Sequence, residues 1–254
     1  MKVGLNLFSI KNRIQTEQDF LQTALTLKDY GYSYMQFSGA DMQASQIANV
    51  VKQSGLPVYL THSPYERIVN DLDNLMEEHR LFGCKYIGLG SLPVEARDDQ
   101  DECKKTVEKL NRAAVKMEEK GFKLFYHHHH FEFCKLFNDK TIFDYMIENA
   151  PNLNFIVDTY WLQYGGVEVI SFIEKLKGRI ACVHLKDYKQ VSDKKGWATP
   201  NFAPVGSGVM DFKKIIAKMK EMGTEYFFVE QDDASKLDDG MEQIKKSVDY
   251  LKEI

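Results

Sequence analysis

The sequence predicts a single-domain (β/α)8 barrel spanning residues 1–254, and three observations carry that expectation. Eight short apolar runs of the kind that form buried parallel strands recur along the chain. Eight segments of helical periodicity alternate with them, and 254 residues is an ordinary length for such a barrel. Parallel strands need helical crossovers, and eight such units close the sheet on itself. An open doubly wound sheet is the alternative, weakened because no G-x-G-x-x-G follows the first run and no G-x-x-x-x-G-K-[ST] occurs.

The units follow in order. "KVGLNLF" (2–8) leads into a helical segment over 16–31, and "YMQFSG" (34–39) into one over 41–55. "PVYLTHS" (57–63) precedes a helix over 69–83, and "YIGLG" (86–90) precedes one over 98–121. "KLFYH" (123–127) is followed by 140–150, and "NFIVDT" (154–159) by 167–178. "IACVHLKD" (180–187) opens the longest irregular piece, 188–210, before a helix over 211–223; "YFFVEQD" (226–232) leads to the last helix, 240–254. Several of the helical segments end in glycine, among them those at Gly31, Gly83, Gly121, Gly178 and Gly223, as helix C-termini commonly do. The piece at 188–210 is long enough to serve as a functional loop over a site.

With 44% hydrophobic and 28% charged residues the chain can bury a sizeable core. A net charge of -4 and a pI near 6.0 supply no basic footprint for nucleic acid, so a small-molecule partner is expected. Cys84, Cys103, Cys134 and Cys182 are scattered without a C-x-x-C pair, which fits reduced thiols better than a zinc ribbon or redox motif. The N-terminus lacks the apolar length of a secretion signal, and no run reaches 18 apolar residues. The expectation is a cytoplasmic protein with no membrane partner, monomeric or assembled as a homo-oligomer.

Chemistry in such a barrel sits at the C-terminal ends of its strands. Those ends are polar here: His62 on the third, His127 to His130 and then Glu132 on the fifth, and Asp158 on the sixth. His184, Lys186 and Asp187 follow on the seventh, and Glu230 and Asp232 on the eighth. One Asp or His at a strand end is more often a helix cap or a hydrogen-bonded support. The four consecutive ends from the fifth to the eighth strand together point to a site. Carboxylate and imidazole donors without thiolate suit Mn, Mg, Co or Zn as divalent ions, with positions left for substrate oxygens.

At these strand ends the chain resembles a known family. "YHHHHFEF" is similar to the pattern "YHNHxFEF", and "VDTYWLQYGG" and "VHLKDY" look like the motifs of strands 6 and 7. "VGSGVMDFKKII" looks like a "GxGxxD" turn into a helix, and "FVEQDD" closes the set. Together they resemble the sugar phosphate isomerase/epimerase family within the xylose isomerase-like TIM barrels, along nearly the whole chain. Relatives include ketose 3-epimerases, inosose dehydratases and endonuclease IV.

The resemblance implies a divalent metal held by Glu, Asp, His and Glu from strands 5 to 8. Asp158, His184 and Glu230 match the last three. Strand 5 departs from the pattern: His127 stands where many relatives have glutamate, and the only nearby carboxylate is Glu132. Glu132 is favoured as the fourth ligand, with His127 as the alternative. His129 is then expected near the metal in substrate binding or proton transfer, and His62, His127, Lys186 and Trp161 in substrate binding. Phe8 is a further apolar contact, and Asn6 and Ser91 are weaker candidates. The implied activity is metal-dependent isomerisation or epimerisation of a ketose, keto-sugar or sugar derivative through an enediolate, with Glu132 and Glu230 as the acid and base pair. Loss of a β-hydroxyl from the same enediolate makes a keto-sugar or inosose dehydratase the alternative. An endonuclease IV-like centre is disfavoured, because Trp161 stands where a D-x-x-H ligand is wanted. "VGSG" at 205–208 offers backbone amides for a phosphate, or only the start of a helix.

Overall fold

The computed structural model describes residues 1–254. Eight parallel strands close into a barrel: β1 (Gly4–Asn6), β2 (Tyr34–Phe37), β3 (Val58–His62), β4 (Tyr86–Leu89), β5 (Lys123–His127), β6 (Asn154–Asp158), β7 (Cys182–Leu185) and, after a hairpin, β10 (Tyr226–Val229). Each pairs with its neighbours in chain order, and β10 returns to β1 with Leu5 opposite Val229. The predicted architecture is therefore the one observed.

Strand side chains alternate between the two faces of a sheet, so residues two apart share a face. Inside the barrel Tyr34, Leu60, Phe125, Ile156, Cys182 and Phe228 pack into one buried apolar cluster. Two residues further along the same strands stand Gln36, His62, His127, Asp158, His184 and Glu230. A polar layer thus lies directly on an apolar one, over the C-terminal mouth. In register, Asp158 is opposite His184, and His184 opposite Phe228. Strand β4 contributes only Gly88 to the polar layer: a Cβ there would lie 2.7 Å from Thr61 O and 3.0 Å from the His62 ring.

Outside the barrel, helices cover the sheet with their apolar stripes. In α6 (Gln100–Glu119) the buried residues Cys103, Val107, Leu110, Ala114 and Met117 recur every three or four positions. In α1 (Glu17–Tyr30) the Thr16 side chain caps the first turn, and Gly31, at φ 99°, donates to Leu27 O and Lys28 O at the end. The crossovers are completed by α2 (Ala44–Ser54), α7 (Ile142–Asn149), α9 (Val169–Lys175), α10 (Phe212–Glu221) and α11 (Gly240–Glu253). No helix is long and apolar enough to cross a membrane.

Five local features differ from what the periodicity predicts. The first strand stops at Asn6, whose side chain accepts from Phe8 N and starts a 3-10 segment over Leu7–Arg13. The helix expected over 69–83 begins earlier and divides at Asp71 into α3 (Tyr65–Asn70) and α4 (Leu72–Leu81). That expected over 98–121 is preceded by a single turn, α5 (Glu95–Asp98), because Asp99 is extended and turns its carboxylate onto Asp101 N and Glu102 N to cap α6. A further short helix, α8 (Thr159–Tyr164), follows β6 directly, capped by Asp158. The segment 188–210 is largely a hairpin of β8 (Asp187–Ser192) and β9 (Ala198–Ala203), not an irregular loop.

Candidate metal centre and its cleft

The inward-facing ends of β5, β6, β7 and β10 bring one donor atom each from His127, Asp158, His184 and Glu230 within 4.8 Å of one another, all buried. Each side chain is aimed by a partner outside the cluster. His127 Nδ1 donates to Gly90 O at 3.1 Å, which leaves its Nε2 lone pair facing Asp158 Oδ2 at 3.5 Å. His184 Nε2 donates to Gln36 Oε1 at 2.7 Å, which leaves Nδ1 facing inward. Asp158 Oδ1 accepts from Trp161 N, and Glu230 Oε1 from Asn6 Nδ2 at 2.6 Å. Such outer partners fix the tautomer and orientation of metal-binding groups.

His184 Nδ1 and Glu230 Oε2 lie 2.7 Å apart, yet neither atom has a hydrogen bond of acceptable geometry. Two lone-pair atoms facing each other in a buried site need a cation between or beside them. In the protein alone, a proton fills that role. Burial by itself would lower the His184 pKa, but Glu230 and Asp158 beside it raise it to about 9.

Lys186, itself buried, supplies a fixed cation. Its Nζ lies 3.1 Å from Asp158 Oδ2, 3.2 Å from Glu230 Oε2 and 3.0 Å from Asp232 Oδ1. Burial would lower its pKa, and these three carboxylates instead raise it. Burial would likewise raise the Asp158 and Glu230 carboxyls, but Lys186 leads the groups that hold both below the ordinary carboxylate range. Three carboxylates against one ammonium leave a formal charge of −2 when the histidines are neutral. A divalent cation balances that charge, and two imidazoles with two carboxylates, without thiolate, suit it chemically.

The strand-5 expectation requires correction. Glu132 is not in the cluster: it sits in a 3-10 turn over Phe131–Phe133, fully buried, and faces away. Its Oε1 takes the Tyr126 hydroxyl and its Oε2 accepts from His129 N at 2.9 Å. Tyr126 is on the outward face of β5, one residue out of phase with His127, and Glu132 joins it there. Burial raises the Glu132 pKa to about 7 despite the hydrogen bonds it accepts. Glu132 and Glu230 are therefore not an acid and base pair across one cleft; His127 is the strand-5 member of the cluster.

The other predicted residues divide between cleft and support. His62, His127, His129, Lys186, Glu230, Phe8 and Ser91 line a cleft of about 600 Å³ above the cluster. Asn6 is a support, held between Glu230 and Ser38 Oγ. Trp161 stacks on His130 with ring centres 5.3 Å apart and has Lys186 Nζ 5.3 Å from its own ring. His129 meets the His127 ring edge-on at 4.8 Å, and its buried Nδ1 has no partner. Burial, then His127 and Lys186, lower its pKa to about 2. His128 is fully buried and accepts from Asp158 N at 3.1 Å, so it positions that strand end.

The amides of "VGSG" offer nothing to a phosphate. Gly206 N and Gly208 N donate to Asp187 Oδ2, Val205 N to Ser247 Oγ, and Ser207 N to Pro204 O. Sequence reasoning missed Gln36, which donates to His62 Nε2 while accepting from His184, and Arg97, which also lines the cleft. Gln36 had a usable signal, its place two residues after the inward Tyr34. Arg97, on a one-turn helix, had none.

Comparison with known proteins agrees with this fold. An inosose dehydratase of Clostridium perfringens (strain 13 / Type A) is 26% identical over 98% of this chain and 86% of its own length. The solved sugar phosphate isomerase/epimerase of Parabacteroides distasonis superposes with a TM-score of 0.80 at 21% identity, covering 100% of this chain and 98% of that one. An L-ribulose 3-epimerase gives a TM-score of 0.74 at 18% identity, over 99% and 94%. Residues 25–254 match the family described as xylose isomerase-like TIM barrel, and with its closed eight-stranded barrel the chain belongs to that family.

Proposed function

We propose that the chain is a divalent-metal-dependent lyase that enolises a keto-sugar and then expels a β-hydroxyl as water. His127, Asp158, His184 and Glu230 would hold the metal, which supplies Lewis acidity toward a substrate carbonyl and its neighbouring hydroxyl. The imidazole-rich set favours Zn, Co or Mn over Mg. Glu230 carries the α-proton away, Lys186 Nζ donates to the departing hydroxyl, and neutral His62 and His129 bond the remaining hydroxyls.

The observation that carries this reading is the asymmetry of the cleft. Asp158, Glu230, Asp232 and Lys186 come from the ends of β6, β7 and β10, whereas the β5 wall presents imidazoles and the Phe131 ring but no carboxylate. A proton acceptor and a proton donor side by side suit elimination. Epimerisation needs carriers on opposite faces, and its expected partner, Glu132, faces away. The inosose dehydratase relatives support the same choice. Isomerisation or epimerisation is the second reading, favoured by the unpartnered Nδ1 of His129 on the β5 wall.

Incubating the metal-loaded protein in D2O with inososes, 3-keto-glucosides and ketoses tests both. The expected result is solvent deuterium in recovered substrate together with an absorbing, dehydrated product. Exchange with an inverted or isomerised product and no loss of water selects the second reading. Absence of exchange with every substrate contradicts enolisation.

A further inference from the structure

The cleft contains two non-histidine cations, and they are treated differently. Lys186 is enclosed by three carboxylates. Arg97 has no carboxylate within ion-pair distance, although it lines the same cleft. Its Nε and Nη2 donate to Leu92 O at 3.1 and 2.8 Å, and Nη2 also donates to Ser91 Oγ at 2.9 Å. The Phe131 ring supports the guanidinium face at 4.4 Å. Nη1 makes no hydrogen bond within the chain. The group is therefore locked in place by neutral hydrogen-bond partners with no carboxylate in direct contact, the arrangement of a preorganised oxyanion receptor.

Its location gives that receptor a use. Arg97, Ser91 and Gly90 line both the 600 Å³ cleft and an outer groove of about 730 Å³, so the guanidinium stands where the two meet. The carboxylate cluster makes the inner end of the cleft acidic. Farther out the groove carries both signs, Glu66, Glu95 and Glu102 with Lys105 and Lys109, and of its cations Arg97 alone also lines the inner cleft. A substrate with a polar reacting end and an anionic tail finds complementary charge only in one orientation. With the "VGSG" amides all engaged, this is the place in the cleft where an oxyanion finds a free cation.

We propose that Arg97 is a specificity-determining residue that binds a phosphate or carboxylate on the substrate, directing the keto end to the cluster. The substrate is then an anionic keto-sugar, and this assignment rests on the keto-sugar reading above. The planar fork pairs two donors with two oxyanion oxygens, so Nη1 and one edge of the group form the contact as the tail enters.

The test is calorimetric binding of D-fructose, D-fructose 6-phosphate and 2-keto-D-gluconate to the metal-loaded wild type and to Arg97→Gln and Arg97→Lys. In the wild type at least one anion binds roughly 10- to 100-fold more tightly than fructose, the size of one charged hydrogen-bonded contact. A preference for only one anion tells phosphate from carboxylate. Arg97→Gln abolishes the preference and Arg97→Lys keeps part of it. Inorganic phosphate or acetate competing with the preferred ligand in the wild type checks the same point without any variant. Equal binding of fructose and both anions, or a preference undiminished in Arg97→Gln, overturns the proposal. Because binding is read without turnover, an Arg97-dependent preference with no deuterium exchange removes the lyase reading alone. Exchange with neutral substrates and no anion preference removes the Arg97 assignment alone.

Discussion

The apolar layer inside the barrel and the polar layer above it are two rings built by the same strands, one pleat repeat apart. In the lower ring Phe125, Ile156, Cys182 and Phe228 pack together as buried apolar side chains. In the upper ring His127, Asp158, His184 and Glu230, two residues on, meet one another and a second circle of hydrogen-bond partners. The lower ring gains from being buried, and the upper ring is costly to bury unless each charge and lone pair is met. Stability and function are thus separated by about two residues of rise along the strands.

Substitutions in the two rings should therefore fail in different ways. The largest effect is expected from Phe125→Ala, which opens a cavity in the lower ring. It should lower unfolding free energy by about 3–5 kcal/mol in denaturant titrations, while any folded fraction still binds metal. A loss below 1 kcal/mol, or metal binding lost from folded protein, would merge the rings.

Glu132 lies outside both rings, and its effect should appear as pH dependence. Its folded pKa is raised to about 7 from 4.5, so the folded chain holds the proton more tightly than the unfolded one. The stability this provides is present at low pH and is lost as pH rises from 4.5 through 7, by about 3 kcal/mol at most. Glu132→Gln cannot titrate. The stability difference between wild type and Glu132→Gln should change in that window and be flat above pH 8. A difference independent of pH would show that the buried carboxyl is not held protonated.

The smallest effect is expected from Gln36→Leu, which removes the acceptor that fixes the His184 tautomer. Metal affinity should fall roughly 10- to 100-fold with the fold retained. Unchanged affinity would make Gln36 a core residue only.

Much of this was legible in the sequence because alternation and periodicity are local. Eight apolar runs gave the barrel, and Asp158, His184 and Glu230 fell at strand ends where they could be placed by position alone. The choice between His127 and Glu132 was decided by parity, which only a known inward residue supplies. Once Phe125 faces inward, His127 must, whereas Glu132 lies five residues further, past the strand and in a turn. The hairpin over Asp187–Ala203 was not legible, because "KQVSDKKGWATPNF" has turn residues but weak alternation. Helix breaks at Asp71 and Asp99 depend on single backbone angles and one carboxylate cap. Arg97 becomes meaningful only when the fold shows that no carboxylate reaches it.

The most direct measurement is the metal content of purified wild type, the Asp158→Ala/His184→Ala double variant, His127→Ala and Glu132→Gln, each reconstituted with zinc, cobalt or manganese and dialysed. One equivalent per chain is expected for wild type and for Glu132→Gln, with none for the double variant and a marked loss for His127→Ala. Metal retained by the double variant, or lost by Glu132→Gln while His127→Ala keeps it, would contradict the assignment of the upper ring as a metal centre completed by His127.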